Sequence, residues 1–359
     1  MINSKIKSFR RDFFALAVLI ACLIGGLSQA VLIYLHQRVI YPQGDYSQPT
    51  LPASDSAWSI RSIDTQVISK HWPDVSARAI AEQVKLVADL GVNYIAVGTP
   101  YDRVDELYMW ADAIHARGLH VWFRSHWADW EGDEGQPATL NPEEYLARTE
   151  RFIKANPGLF LPGDAFTLAV EAENVGVGLG KRFLNWDQYR HFLLSQITVS
   201  NRAFASIGLK QQIHTNWISI NGWVVENQLT QEVVDKMGII TVDHFVSQSN
   251  TIGLMDDPFM VTVQTLADLD KFYRRWRVPV FLGEWGYQIF QPVSDQLQAE
   301  VITLMYSGLR EKQYLVGVNY WVHMGNTASL IGDEFGSNLT YRPAADVVKT
   351  FFTGKPIVQ

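Results

Sequence analysis

Cysteine is almost absent from this chain of 359 residues, because Cys22 is the only one. A disulfide framework and a cysteine-based zinc site within one chain are therefore excluded. Clustered positive charge is also scarce: the formal net charge is −7, and no long basic block follows the first residues. Since phosphate binding needs clustered Lys and Arg, nucleic acid is not expected as a partner.

A glycine-rich G-x-G-x-x-G turn is missing after the first predicted strand, so the sequence gives no support for nucleotide binding. The glycines at positions 176, 178 and 180 are interpreted as part of a flexible loop. A His-x-His pair is also missing from the first strand, which disfavours a metal-dependent barrel hydrolase. That alternative would use four histidines as ligands: His126, His214, His244 and His323. We expect neither a metal nor a cofactor.

Charge is absent from residues 13–35, an apolar run that four basic residues precede. A helix of that length can span a hydrocarbon core of about 30 Å. The basic flank predicts a cytoplasmic N-terminus at 1–12, a transmembrane signal-anchor in the lipid bilayer at 13–35 and a linker at 36–56. The remainder, 57–359, would then lie outside the cytoplasm, at the cell surface or on the periplasmic side.

Two other interpretations compete with an uncleaved anchor. Residues 28–30 resemble a cleavage site that would release a secreted protein, and residues 19–22 resemble a bacterial lipobox that would lipidate Cys22. The apolar run continues past both sites, which favours the anchor. All three interpretations place the catalytic part outside the cytoplasm.

From residue 57 onward, short apolar runs alternate with segments of helical period, a pattern typical of βαβ units and a parallel sheet. The predicted strands are Trp58–Ile68, Tyr94–Gly98, His120–Ser125, Phe166–Glu173, Gln212–Trp217, Ile239–Phe245, Val278–Gly283 and Val316–Trp321. Gly91, Gly118 and Gly208 each follow a predicted helix, where a left-handed cap is expected. Eight strands with about as many helices predict a (β/α)8 TIM barrel over 57–359, and a doubly wound open sheet is the rival fold.

Polar and aromatic residues follow several of these strands, at the end where a TIM barrel carries its active site. The most specific are two carboxylates, Glu284 after strand seven and Glu173 after strand four. A retaining glycosidase needs two carboxyl groups about 5 to 5.5 Å apart, one as acid/base and one as nucleophile. Further candidates for substrate binding are Glu171, Asn174, Arg124, His126, Trp127, Asn216, Trp217, His244, Trp285 and Trp321.

The segment Pro279-Val280-Phe281-Leu282-Gly283-Glu284-Trp285-Gly286 resembles the seventh-strand nucleophile motif of clan A glycoside hydrolases. Residues 317–321 resemble the eighth-strand element of that clan, which ends in an aromatic residue, often Trp. The resemblance covers about residues 57–353. It implies a (β/α)8 barrel with Glu284 as nucleophile and an acid/base at the end of strand four.

The strand-four motif departs from the pattern of that clan. The clan usually has Asn directly before the acid/base Glu, whereas this chain has Ala172 before Glu173 and Asn174 after it. Glu171 lies two residues earlier, roughly 6.6 Å along a strand, so only one of the two carboxylates can be well placed to donate a proton. We favour Glu173, because it lies closer to the end of the strand, and interpret Glu171 as a neighbouring group or a sugar hydrogen-bond partner.

The resulting hypothesis is a retaining glycosidase that cleaves an oligo- or polysaccharide, with β-linked glycans favoured. Glu284 should be ionised, helped by Arg124, His244 or Asn216, and Glu173 should start protonated. An aromatic face can stack on the apolar C–H face of a pyranose, so four tryptophans are candidate stacking platforms: Trp127, Trp217, Trp285 and Trp321. A non-catalytic, surface-anchored glycan-binding barrel is the main alternative. No obligate protein partner is predicted.

Overall fold

The computed structural model describes residues 58–72, 74–128, 140–174, 185–244, 258–287, 295–332 and 339–354. By its internal contacts the chain divides into two units, Met1–Pro52 and Ala53–Gln359, and every described residue belongs to the second. The predicted anchor at 13–35, the linker at 36–56 and the glycine loop at 176–180 lie outside the described residues and stay predictions. Within the described ranges, no helix is both long enough and apolar enough to cross a membrane.

Eight parallel strands form one sheet in the described part of the chain. They are β1 Ile60–Asp64, β2 Tyr94–Val97, β3 His120–Arg124, β4 Ala165–Thr167, β5 Ser219–Asn221, β6 Ile240–Asp243, β7 Val280–Trp285 and β8 Leu315–Tyr320. The order across the sheet is β4-β3-β2-β1-β8-β7-β6-β5, so the first and last strands along the chain are neighbours. This order rejects the doubly wound sheet and confirms the predicted barrel topology.

The barrel is almost closed where β4 meets the chain leading into β5. Ala165 and His214 form a parallel bridge. The amide of Phe166 donates to the carbonyl of His214 at 3.0 Å, and the amide of His214 donates to the carbonyl of Asp164 at 2.8 Å. This seam links β4 to the chain that enters β5. Because all eight strands are parallel, their carboxyl ends face one mouth.

Helices follow the strands and form the outer layer. They are α1 Gln66–His71, α2 Ala77–Ala88, α3 Val104–His115, α4 Pro142–Ala155, α5 Trp186–Ser206, α6 Gly222–Asn227, α7 Gln231–Met237, α8 Pro258–Trp276, α9 Asp295–Arg310 and α10 Pro343–Thr353, with a 3-10 turn at Pro157–Leu159. The three predicted caps are confirmed, since Gly91, Gly118 and Gly208 have φ of +86°, +70° and +86°.

Three predicted strand ranges are wrong in ways that affect the site. The first strand ends at Asp64, because its carboxylate accepts a hydrogen bond from the amide of Gln66 at 2.6 Å and α1 begins there. The fourth strand ends at Thr167, and residues 168–174 form a turn. The fifth strand lies at Ser219–Asn221 instead of 212–217, so its end is Asn221.

An aromatic cluster fills the barrel near the amino ends of the strands. Its buried members are Ile60, Tyr94, Ala96, Trp122, Ala165, Trp217, Ile239 and Phe281. The ring of Trp217 contacts the rings of Tyr94 and Phe281 at centroid distances of 5.0 and 5.2 Å. This apolar layer closes the bottom of the barrel, and a polar layer lies above it.

Candidate active site

Arg124, the last residue of β3, is the cation at the centre of the polar layer. Its guanidinium is 2% exposed and lies over the ring of Trp122 at 4.6 Å. It forms a very short ion pair with Asp64 and a 2.9 Å ion pair with Asp243. Its third ion pair, to Glu284, is 3.4 Å long. Carboxylates from three strands, β1, β6 and β7, thus form ion pairs with one buried guanidinium.

Glu284 and Asp243 are brought level by an irregularity in β7. The register with β6 pairs Val242 with Leu282 and then Asp243 with Glu284, so Gly283 is skipped. Any side chain at Gly283 would meet the carboxylate of Asp243, since an added Cβ would lie 2.6 Å from its Oδ1. The glycine of the seventh-strand motif therefore lets the two carboxylates lie side by side.

Glu171 completes a group of three carboxylates. Oxygen atoms of Glu171, Asp243 and Glu284 all lie within 4.8 Å of one another, and all three side chains are buried. Glu171 adopts a left-handed backbone conformation with φ of +44° in the turn after β4. The side-chain Nδ2 of Asn174 donates to its carboxylate at 2.9 Å. The upper limit of 4.8 Å lies just below the separation of about 5 to 5.5 Å between the carboxyl groups of retaining glycosidases.

Glu173 is not one of the three carboxylates in this group, and its expected role as acid/base stays a prediction. Its carboxylate accepts hydrogen bonds from the Tyr189 hydroxyl at 2.8 Å, from the Asn221 amide nitrogen at 2.7 Å and from Asn221 Nδ2 at 3.0 Å. The two glutamates follow β4 in a turn instead of lying on it, so strand alternation does not relate them. Glu173 ties this turn to α5 and to the end of β5.

Burial controls the protonation of this centre. Desolvation raises the pKa of Glu171 well above its usual range, and the charges of Asp243, Glu284 and Glu173 raise it further. Burial also raises the pKa of Glu284, while the Arg124 guanidinium opposes that rise. The pKa of Asp243 is raised to about 7 by burial, again against Arg124. Burial thus shifts all three carboxyl groups toward their protonated forms.

Two of the predicted binding residues lie at the other end of the barrel. Trp217 belongs to the aromatic layer at the bottom and is 4% exposed. Asn216 donates its side-chain amide to the carbonyl of Met237 at 2.7 Å, where α7 ends and the chain enters β6. Their expected place at the mouth is wrong, because β5 begins only at Ser219, after both residues, and runs to Asn221.

Two more predicted residues point outward, to the helices. His244 lies 3.1 Å from a carboxylate oxygen of Asp268, and its ring packs against Phe272 of α8. Trp285 is 4% exposed and packs near Tyr306 of α9. Each directly follows an inward-facing carboxylate, and successive side chains of a strand point to opposite faces.

The remaining predicted residues lie at the mouth end but differ in exposure. His126 is buried, with its Nδ1 3.5 Å from the Tyr145 hydroxyl. Trp127 is also buried and donates from Nε1 to Thr149 of α4 at 2.9 Å. Trp321 is only half-buried and directly follows β8. Of the four candidate platforms, Trp321 alone is not fully buried.

The four histidines of the metal-dependent alternative do not converge. His214 stacks on Trp217 at the bottom of the barrel, and His323 bonds to Gln83 at 2.9 Å, with burial lowering the pKa of His323 to about 3. Among the described residues, the one group of three or more His, Cys, Asp or Glu with ligand spacing is the carboxylate trio itself. Arg124 already provides positive charge there.

Several residues of this centre were not among the predicted site residues. Asp64 and Asp243 bind Arg124, Ser219 donates to Asp243 at 3.1 Å, and Asn319 donates to Asp64 at 3.2 Å. Their positions in the sequence could have indicated them, since each is a polar residue at or near the carboxyl end of a short strand.

No family model matches the chain, and no curated protein matches it in sequence. Solved structures do match its fold. A GH5_18 protein from Streptomyces cattleya in complex with GlcNAc has a TM-score of 0.61 at 17% identity, over 85% of this chain and 83% of that one. A variant of GH5_18 from the same organism in complex with Manβ1-4GlcNAc has a TM-score of 0.60 at 16% identity, over 82% and 80%.

The β-glucuronidase of Bifidobacterium dentium, in complex with coumarin-3-O-glucuronide, matches with a TM-score of 0.57 at 12% identity. That match covers 82% of this chain and 46% of the other. The chain spans about half the length of the β-glucuronidases it resembles. At these identities the likeness shows a barrel fold that these glycosidases also have.

Proposed function

We propose that this protein is a retaining glycoside hydrolase, with Glu284 as nucleophile and Glu171 as acid/base. The observation that carries the proposal is the approach of their carboxylate oxygens to within 4.8 Å at the mouth of a parallel barrel. Retaining enzymes hold their carboxyl groups about 5 to 5.5 Å apart, whereas inverting enzymes need about 6.5 to 9.5 Å to admit a water. The shorter spacing favours double displacement.

In the first step, a Glu284 oxygen forms a bond to the anomeric carbon while the glycosidic C–O bond breaks. The leaving oxygen takes the proton of Glu171. In the second step, water gives a proton to Glu171 and attacks the anomeric carbon, and the ester bond to Glu284 breaks. Two inversions restore the original configuration.

Arg124 supports the division of roles between the two glutamates. It makes an ion pair with Glu284 at 3.4 Å and none with Glu171 within the described part of the chain. Arg124 is the main cause that opposes the burial-driven rise in the pKa of Glu284, whereas at Glu171 its effect is smaller than those of Asp243, Glu284 and Glu173, which raise the pKa. Glu284 is therefore the better nucleophile and Glu171 the better acid.

The substrates we propose are β-linked oligo- or polysaccharides. The fold is shared with structures that contain GlcNAc, Manβ1-4GlcNAc or a glucuronide, all of them sugars or sugar conjugates. The half-buried Trp321, directly after β8, is the candidate for stacking on a pyranose. These features support a glycan ligand and leave the sugar to be identified by assay.

The test compares isosteric variants on a panel of aryl β-glycosides and β-linked oligosaccharides. Glu284→Gln and Glu171→Gln should each lower kcat by at least about 100-fold, because each removes a reacting group. Glu173→Gln is the matched control and should keep most of the activity, with circular dichroism checking that all three fold. Full activity in Glu284→Gln, or a larger loss in Glu173→Gln than in Glu171→Gln, contradicts the assignment.

A further inference from the structure

Two tryptophans that the sequence reasoning passed over meet at the rim of the mouth. Trp223 is the second residue of α6, directly after β5, and is 48% exposed. Trp186 is the first residue of α5 and is half-buried. Their rings meet edge to face, with centroids 5.6 Å apart and planes at 77°. Both helices begin at the mouth because they follow the carboxyl ends of β4 and β5.

This aromatic pair is connected to the carboxylate centre through Glu173. Tyr189, one turn after Trp186, packs edge to face on it at 5.5 Å and donates to Glu173 at 2.8 Å. Asn221, two residues before Trp223, donates to the same carboxylate. Asn221 is also level with Asp243 in the β5–β6 register. The buried carboxylate of Glu173 therefore holds in place both the aromatic pair and the turn that contains Glu171.

The backbone around the pair is held in place before any ligand binds. Asn185 caps α5 by accepting from the amide of Gln188 at 3.0 Å. Asn227 donates to the carbonyl of Trp223 at 2.8 Å, and Arg190 of α5 donates to the carbonyl of Gln228, just past α6, at 2.8 Å. A rigid aromatic face binds a ligand with little loss of conformational entropy.

We propose that Trp223, braced by Trp186, is a stacking platform for a pyranose unit of the glycan chain beyond the bond that is cleaved. This inference rests on the proposed function and adds to it a preference for extended substrates over single glycosides. The apolar C–H face of a pyranose matches an exposed indole ring, which buries apolar surface without needing a charged partner. A platform at the rim, outside the carboxylate centre, would contact only chains long enough to reach it.

The experiment measures kcat/KM of the full chain on aryl monoglycosides and on di- to hexasaccharides of β-1,4-mannan, β-1,4-glucan and β-1,3-glucan. For Trp223→Ala the loss should grow with chain length and reach about tenfold for the hexasaccharide, the ratio that corresponds to about 1.4 kcal/mol. Trp223→Phe keeps a ring and should recover part of the loss. Leu161→Ala is the control, because Leu161 is 45% exposed but precedes β4 at the opposite end of the barrel.

Retardation in gels that contain soluble β-mannan or β-glucan tests the platform separately from catalysis. Glycan retardation that Trp223→Ala abolishes supports the platform even if no substrate is hydrolysed, in which case the proposed function alone fails. Hydrolysis whose dependence on chain length is the same in wild type and Trp223→Ala overturns the platform and leaves the proposed function standing. Absence of retardation together with absence of hydrolysis overturns both.

Discussion

One guanidinium determines how charge is distributed among the buried carboxylates. Arg124 forms ion pairs with Asp64, Asp243 and Glu284, whereas Glu171 is buried beside two of these acids without an ion pair to Arg124. Burial and like charge both favour protonation of a carboxyl group. Burial and the neighbouring acids therefore raise the pKa of Glu171, which is the direction that the proposed acid/base role needs.

Asp243 should make stability depend on pH, because its pKa in the folded protein is raised from 3.8 to about 7 by burial. The folded protein then keeps a proton that the unfolded chain has already lost. This contribution is complete below about pH 4 and is lost as the pH rises through about 7. Between pH 4 and pH 8, the unfolding free energy of wild type minus that of Asp243→Asn should fall by a few kcal/mol.

Urea unfolding of both proteins at each pH measures that difference. A difference that stays constant from pH 4 to pH 8 would mean that Asp243 is ionised throughout. A difference that increases with pH would reverse the sign of the pKa shift. In either case, the raised pKa of Asp243 in the folded protein would be contradicted.

The junction of β6 and β7 explains why the seventh-strand motif has glycine before its glutamate. A Cβ at Gly283 would lie 2.6 Å from both Asp243 Oδ1 and Thr241 Cγ2, and 3.4 Å from Ser219 Oγ. These neighbours belong to strands whose side chains fill the barrel interior. The absence of a side chain is thus what brings Asp243 and Glu284 level.

Gly283→Ala should destabilise the protein by about 1 to 3 kcal/mol, the usual cost of forcing a methyl group into a packed interior. It should also lower kcat, because the displaced atoms belong to the carboxylate centre. Urea unfolding and kcat on an aryl β-glycoside measure the two effects. Gly158→Ala is the control, since its added Cβ would have only Tyr108 within 4 Å, at 3.8 Å; equal effects of the two variants would contradict this account.

The alternation of side chains along a strand predicts the direction of two residues that were expected at the mouth. If Glu284 faces the barrel interior, Trp285 must face the helices, and the same rule sends His244 outward when Asp243 points inward. The outward position of Trp285 could therefore have been predicted from the motif, and that of His244 from an inward-facing Asp243. Trp127 is different, because it lies beyond the end of β3 and its burial under α4 depends on tertiary packing.

The fifth strand was misplaced for a physical reason. Its inward-facing residues near the mouth, Ser219 and Asn221, are polar and bond to Asp243 and Glu173. The apolar residues that face the barrel interior therefore stop at Trp217, so Trp217 looks like the end of the strand although it lies at the bottom of the barrel. Polar layers at active sites break the pattern that makes strands recognisable.

For the molecule as a whole, the number, order and direction of the strands could be predicted from the alternation of strand and helix signals. The pairing of acids across the barrel could be predicted only in part. The motif indicated Glu284, but the position of Glu171 beside it depends on a left-handed backbone conformation at φ +44°, which the neighbouring residues do not predict.

The stereochemistry of hydrolysis tests the central claim most directly. Proton NMR of the first product released from a β-linked oligosaccharide by wild-type protein reports the anomeric configuration before mutarotation. Carboxylate oxygens within 4.8 Å predict that the β-anomer appears first and the α-anomer grows in later. Release of the α-anomer first would mean inversion and would contradict the assignment of Glu284 and Glu171.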